Sequence, residues 1–113
     1  MAVPDALIEE AARRFALLSD PTRLRILSLL LDRGSATVTE LATALDVAPP
    51  NVSQHLGRLL SARMVARQRE GRMLRYSVAE PSLRPLCDLM CTSLRNQPGP
   101  LFMVPTGQGA GAG

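Results

Sequence analysis

The sequence predicts a mainly α domain carrying one two-stranded β hairpin, and three observations lead there. Apolar residues recur at helical spacing in two segments, 5–18 and 19–34. Two further helical stretches follow, 37–47 and 48–64, broken apart by Pro49 and Pro50. Residues 64–78 then switch to strict alternation on either side of Glu70-Gly71, the pattern of two strands joined by a tight turn.

The first helix is read from "DALIEEAARRFALL", where Ala6, Leu7, Ala11, Phe15 and Leu18 form one stripe with polar residues between them. "SDPTRLRILSLLLDRG" carries the strongest end signals: Asp20 as N-cap, Pro21 at the first helical position and Gly34 as the stop. Its stripe of Leu24, Ile26, Leu27, Leu29, Leu30 and Leu31 is broad, so this helix is expected to be buried on most sides. "TVTELATALDV" gives a third helix of about two turns, capped by Thr37 or Thr39, with Leu41, Ala42 and Leu45 inward.

In the fourth helix the two faces separate cleanly. With Asn51 at 0° and about 100° per residue, Val52, Leu56, Leu59 and Leu60 gather on one side, whereas Gln54, Gly57, Arg58 and Ser61 gather on the other. One side packs and the other meets water. Two short helices with a tight turn, the second presenting polar and basic groups, form a helix-turn-helix suited to a DNA major groove. In the hairpin that follows, Arg69 and Arg72 flank Gly71, placed to reach phosphates or a minor groove. That order is the layout of a winged helix.

Charge agrees with a nucleic-acid face. The 113-residue chain is +3 overall, but the segment 48–78 holds six arginines against the single acid Glu70. The remainder is therefore slightly acidic, and such segregation is the footprint expected of a DNA-binding surface, although a solvated arginine-rich face would look the same. The length supports one domain, expected over 1–95, with the uncharged Gly/Pro-rich residues 96–113 as a loose tail. The acidic residues Asp5, Glu9 and Glu10 do not suit a signal peptide and no window reaches the ~18 apolar residues of a membrane span, so a cytoplasmic protein without membrane contact is expected. An enzyme is not expected: His55 is the only histidine, no Gly-rich phosphate loop is present, and the two cysteines lack the CxxC spacing of thiol oxidoreductases.

The stretches "SDPTRLRIL", "VSQHL" and "REGRMLRYSV", with the helices around them, resemble the ArsR/SmtB family of bacterial winged-helix repressors over roughly residues 6 to 95. The resemblance implies a homodimer built from the first and last helices, bound to a roughly palindromic double-stranded operator and released by a ligand. DNA contact then falls to Asn51, Ser53, Gln54, His55 and Arg58 of the fourth helix and to Arg69 and Arg72 of the wing. Gln suits adenine, Arg suits guanine, and Ser or His suits phosphate. His55, at about 40° on the same wheel, borders the packed side, so phosphate contact and a purely structural role both stand open. A winged helix that docks a protein in place of DNA is the reading from another class, and the salt dependence of binding separates the two.

The sequence departs from the family's familiar metal patterns. "VTELATAL" contains no thiol, and no histidine lies beyond His55 to pair with Glu80 or Asp88. What remains is "CDLMC". Cys87 and Cys91, at i and i+4, share a helix face with Cβ atoms about 6 Å apart, too far for a direct disulfide and suited to a bridging thiophile. No constitutive cofactor is expected. The candidate inducers are As(III), Sb(III), Cd(II) or a reactive sulfur species; otherwise both thiols act as small hydrophobes and the repressor senses no metal.

Overall fold

A computed structural model of the chain describes residues 2–98 and contains five helices and a small sheet in the order α1 (Asp5–Leu18), α2 (Pro21–Arg33), β1 (Ala36–Thr37), α3 (Val38–Leu45), α4 (Pro49–Ser61), β2 (Val65–Glu70), β3 (Met73–Val78) and α5 (Leu83–Arg95). The chain divides into two compact units, one ending at Pro81 and one beginning at Ser82. Of the expected tail, the part from residue 99 onward lies outside the described residues.

Local chemistry explains where the helices begin and end. The Asp20 carboxylate accepts from the Arg23 backbone N–H at 2.9 Å, Pro21 opens α2, and Gly34 at φ 89° closes it. Thr37 and Glu40 form a reciprocal capping box at the start of α3: the Glu40 N–H donates to Thr37 Oγ1 at 3.1 Å, and the Thr37 N–H donates to Glu40 Oε1 at 2.9 Å. Asp46, left-handed at φ 54°, ends α3 and turns the chain into α4. At the far end of α4 the Met64 N–H bonds the Leu59 carbonyl at 2.9 Å and the Arg63 N–H bonds that of Leu60 at 3.0 Å. This is a Schellman motif with Arg63, at φ 62°, in the place glycine usually takes.

The core of the first unit draws on every element from α2 onward. Ile26, Leu27 and Leu30 of α2, Leu41 and Ala42 of α3, and Val52, Leu56 and Leu59 of α4 are buried, together with Ala36, Met64, Val65 and Tyr76. Burial along α2 is narrower than its composition suggests, since Leu24 is 41% exposed and Leu29 and Leu31 are half-buried. A helix with leucine on nearly every side still buries only the stripe its neighbours cover. By contrast α1 buries no residue. Its polar face is tied down instead: Arg14 bonds Glu10 at 3.0 Å and Glu80 at 2.9 Å.

The expected hairpin is present but forms part of a three-stranded antiparallel sheet, ordered β1-β3-β2. Ala36 pairs with Tyr76 and Thr37 with Arg75, so a two-residue strand before α3 extends the wing inward. The turn is also one residue later than the sequence suggests. Glu70 pairs with Met73, leaving Gly71 and Arg72 as the turn, with φ positive (63°) only at the glycine, as a type II′ turn requires. In the second unit, α5 carries both cysteines in one uninterrupted helix, with Pro85 confined to its first turn where no N–H is needed.

Candidate nucleic-acid interface and thiol pair

The outward face of α4 is as the wheel places it. Asn51, Ser53, Gln54, Gly57 and Arg58 are exposed, opposite the buried Val52, Leu56 and Leu59. Apolar residues at 52, 56 and 59 pin the helix to the core, so the positions opposite them face out. Within the described residues, the side chains of Arg58, Arg63, Arg67, Arg69 and Arg72 form no hydrogen bond or ion pair. Unpaired guanidiniums held on a rigid helix and a hairpin supply charge where a polyanion could take it up.

The cluster of six arginines is smaller in effect than its count. Arg75 donates to Glu70 at 2.9 Å, to Ser35 Oγ at 3.1 Å and to Glu40 at 3.4 Å. Its guanidinium pKa is pushed up by the Glu70 hydrogen bond and then by the Glu40 charge. Arg75 therefore braces the wing against α3 and does not add to the free positive face. Along the hairpin, the register sets Arg67 opposite Tyr76 and Arg69 opposite Leu74, so these two arginines share one face while Gln68 and Arg75 share the other. Arg67, which the sequence alone did not single out, is thus as free and exposed as Arg69.

His55 is half-buried, and its Nδ1 lies 3.3 Å from Arg23 Nη1. The same Arg23 donates through Nε to the Leu17 carbonyl at 2.7 Å. Sequence reasoning had no signal for this pairing, because the two residues stand 32 positions apart.

Cys87 is half-buried and Cys91 exposed, both as free thiols one turn apart on α5. Burial pushes the Cys87 thiol above its ordinary range, helped by the neighbouring Cys91 and Asp88. No group of three or more His, Cys, Asp or Glu able to hold a metal occurs among the described residues. The pair thus fits a ligand satisfied by two thiolates, or one that takes a third donor from elsewhere.

Comparison with known proteins places these features. Residues 20–67 match the family described as "Bacterial regulatory protein, arsR family". The crystal structure of Rv0081 from Mycobacterium tuberculosis superposes with a TM-score of 0.72 at 35% identity, covering 83% of this chain and 92% of that one. The chain belongs to the ArsR family. The solution structure of the homodimeric winged helix-turn-helix DNA-binding domain of Mb0332 from Mycobacterium bovis gives a TM-score of 0.74 at 29% identity, covering 88% of this ArsR-family chain and 94% of the other. The probable mercury resistance operon repressor of Streptomyces lividans is 39% identical over 84 residues, 74% of this chain and 66% of that protein. The match thus spans just under two thirds of the relative's length. The fold is a winged helix-turn-helix, and the relatives it matches are transcriptional regulators and repressors. Among the described residues no helix is long and apolar enough to cross a membrane.

Proposed function

We propose that this regulator is a homodimeric repressor that holds operator DNA through α4 and the wing and leaves it when a thiophile bridges Cys87 and Cys91. The observation that carries the DNA half is the outward row of Asn51, Ser53, Gln54 and Arg58 beside unpaired wing arginines. In this reading Gln54 and Arg58 meet base edges, Asn51 and Ser53 meet bases or backbone, and Arg69 and Arg72 meet phosphates. Several arginines displacing counterions make affinity fall steeply with salt; a wing that docks a protein through apolar contact would show little such dependence.

The sensing half rests on two thiols at i and i+4 in α5. The mercury repressor among the relatives supports a soft inducer, to which sulfur ligands are suited. Arsenite prefers three sulfurs, so its third partner would come from a second chain or be oxygen; an organoarsenical already carries one carbon and needs only two. Thiolate is the binding form, and Cys87 is held protonated above the ordinary thiol range. Inducer affinity therefore rises with pH and continues to rise beyond the pH where an unperturbed thiol would have ionised.

The test is release of the reduced protein from its own promoter DNA by arsenite, phenylarsenous acid, antimonite, Cd(II), Hg(II) and a polysulfide donor. Cys87→Ser and Cys91→Ser should each retain folding and DNA affinity while losing release. A double serine variant released as readily as the parent would leave a DNA-binding regulator whose thiols only pack.

A further inference from the structure

The contact between Arg23 and His55 has a chemical consequence for the DNA-facing helix. A guanidinium has five N–H donors and no acceptor, and stays charged throughout the accessible pH range. A ring nitrogen 3.3 Å from it must therefore accept, so Nδ1 of His55 carries no proton and the neutral ring holds its proton on Nε2. The opposite protonation would aim two N–H groups at each other.

Arg23 is itself well placed to impose this state. Its backbone N–H is taken by the Asp20 carboxylate at 2.9 Å and its Nε by the Leu17 carbonyl at 2.7 Å, which fixes the guanidinium between the end of α1 and the start of α2. Asp20 is held below the usual carboxylate range, first by the Arg23 N–H and further by the Arg23 charge, so it stays an anion that anchors this corner. The other edge of the ring is free: Nε2 of the half-buried His55 has no hydrogen-bond partner among the described residues. Its neighbours Ser53, Gln54 and Arg58 on α4 are exposed.

We propose that Arg23 is a positioning residue that locks His55 in the Nε2–H tautomer and so presents one fixed N–H donor from α4 to a backbone phosphate of bound DNA. The inference deepens the DNA-binding reading and rests on it. It also resolves the two roles open for His55, since one edge of the ring is structural and the other is the contact.

Two isosteric replacements separate the edges. Glutamine at 55 can supply an N–H near the Nε2 position without needing Arg23, whereas asparagine can accept from Arg23 near the Nδ1 position but reaches no phosphate. Binding to a random-sequence duplex is the appropriate readout, because a phosphate contact acts on all sequences alike. Arg23→Met and His55→Asn should each weaken binding roughly three- to tenfold, the range for loss of one hydrogen bond. His55→Gln should bind like the parent, and adding Arg23→Met in the His55→Gln background should change nothing further.

Nitrogen-15 NMR of the ring gives the readout that a merely structural role would not move. The parent should show one pyridine-like Nδ1 and one protonated Nε2, and Arg23→Met should show a mixture of tautomers. If Arg23→Met fails to fold, the parent spectrum together with the Gln and Asn variants at 55 still decides the matter. Equal losses from Arg23→Met in the His55 and His55→Gln backgrounds, a tautomer mixture in the parent, or His55→Asn binding as well as His55→Gln would each overturn the proposal. A parent that binds no duplex would remove the DNA reading itself, which is a different result from a parent that binds and ignores these changes.

Discussion

At the scale of single residues, an arginine acts according to what else it touches. Arg58 and Arg72 are exposed and unpaired within the described residues, one on a packed helix and one in a hairpin turn. A rigid helix can aim a fork-shaped guanidinium at one guanine, whereas a turn residue meets whatever phosphate passes. Arg58→Ala should lose about 1–3 kcal/mol on the preferred site and relax preference at one base pair per half-site. Arg72→Ala should weaken all sequences alike and reduce the slope of log affinity against log salt by about 1. Titrations of both variants on selected and random duplexes at several salt concentrations check this, and indistinguishable behaviour would reject the division. The outward position of Arg58 was legible because helical periodicity alone decides it. The occupation of Arg75 was not, because Ser35 and Glu40 lie 40 and 35 residues from it in the chain, and only the pairing of β1 with β3 brings them close.

At the scale of elements, the ends of helices were more legible than the sheet. Asp20, Pro21 and Gly34 act within a few residues of one another, so their roles follow from local hydrogen bonding. A two-residue strand has no period to read, and β1 exists only because Ala36 and Thr37 meet Tyr76 and Arg75 across the fold. The turn residue at the end of α4 offers a quantitative test of local chemistry. Arg63 sits at φ 62°, where a side chain costs roughly 1–2 kcal/mol, whereas glycine there gives back about 0.5–1 kcal/mol in unfolded-chain entropy. The strain term is the larger, so Arg63→Gly should raise stability by about 0.5–1 kcal/mol in denaturant unfolding, with an unchanged m-value. A decrease would mean that the Arg63 stem contributes more through packing than its backbone loses. The same variant removes one exposed cation, so stability and DNA affinity should move in opposite directions.

At the scale of the whole molecule, the distribution of exposed apolar groups argues for a second copy. In α1, which buries nothing, Leu7 is 60%, Ile8 51% and Phe15 57% exposed. In α5, Leu89 and Met90 are 70% and 56% exposed on the helix that also bears the thiols. Scattered leucines need no explanation, but three large apolar side chains on one fourteen-residue helix leave its stripe without a use in the monomer. Twofold association would use it, and would also set two copies of α4 at a spacing fixed by the dimer, which is what a palindromic site requires. Under the proposed function, such a dimer would give a thiophile a route to DNA release. A ligand shifts an equilibrium only by its preference for one of two forms, and a tenfold loss of DNA affinity requires about 1.4 kcal/mol of such preference. On that proposal, drawing the Cys87 and Cys91 sulfurs onto one atom would reshape a turn of α5, and a dimer that favours the reshaped form would hold DNA less tightly without the inducer touching DNA. Phe15→Glu, which places a charge in the proposed seam without altering any α4 residue, should convert the protein to a monomer at micromolar concentration by sedimentation. With each half-site then bound independently, affinity for a two-half-site duplex should fall by on the order of 10²-fold or more, while the affinity per half-site stays near that of the parent. A Phe15→Glu variant that sediments as the parent does, or a monomer that binds the full site undiminished, would show that α1 has another use.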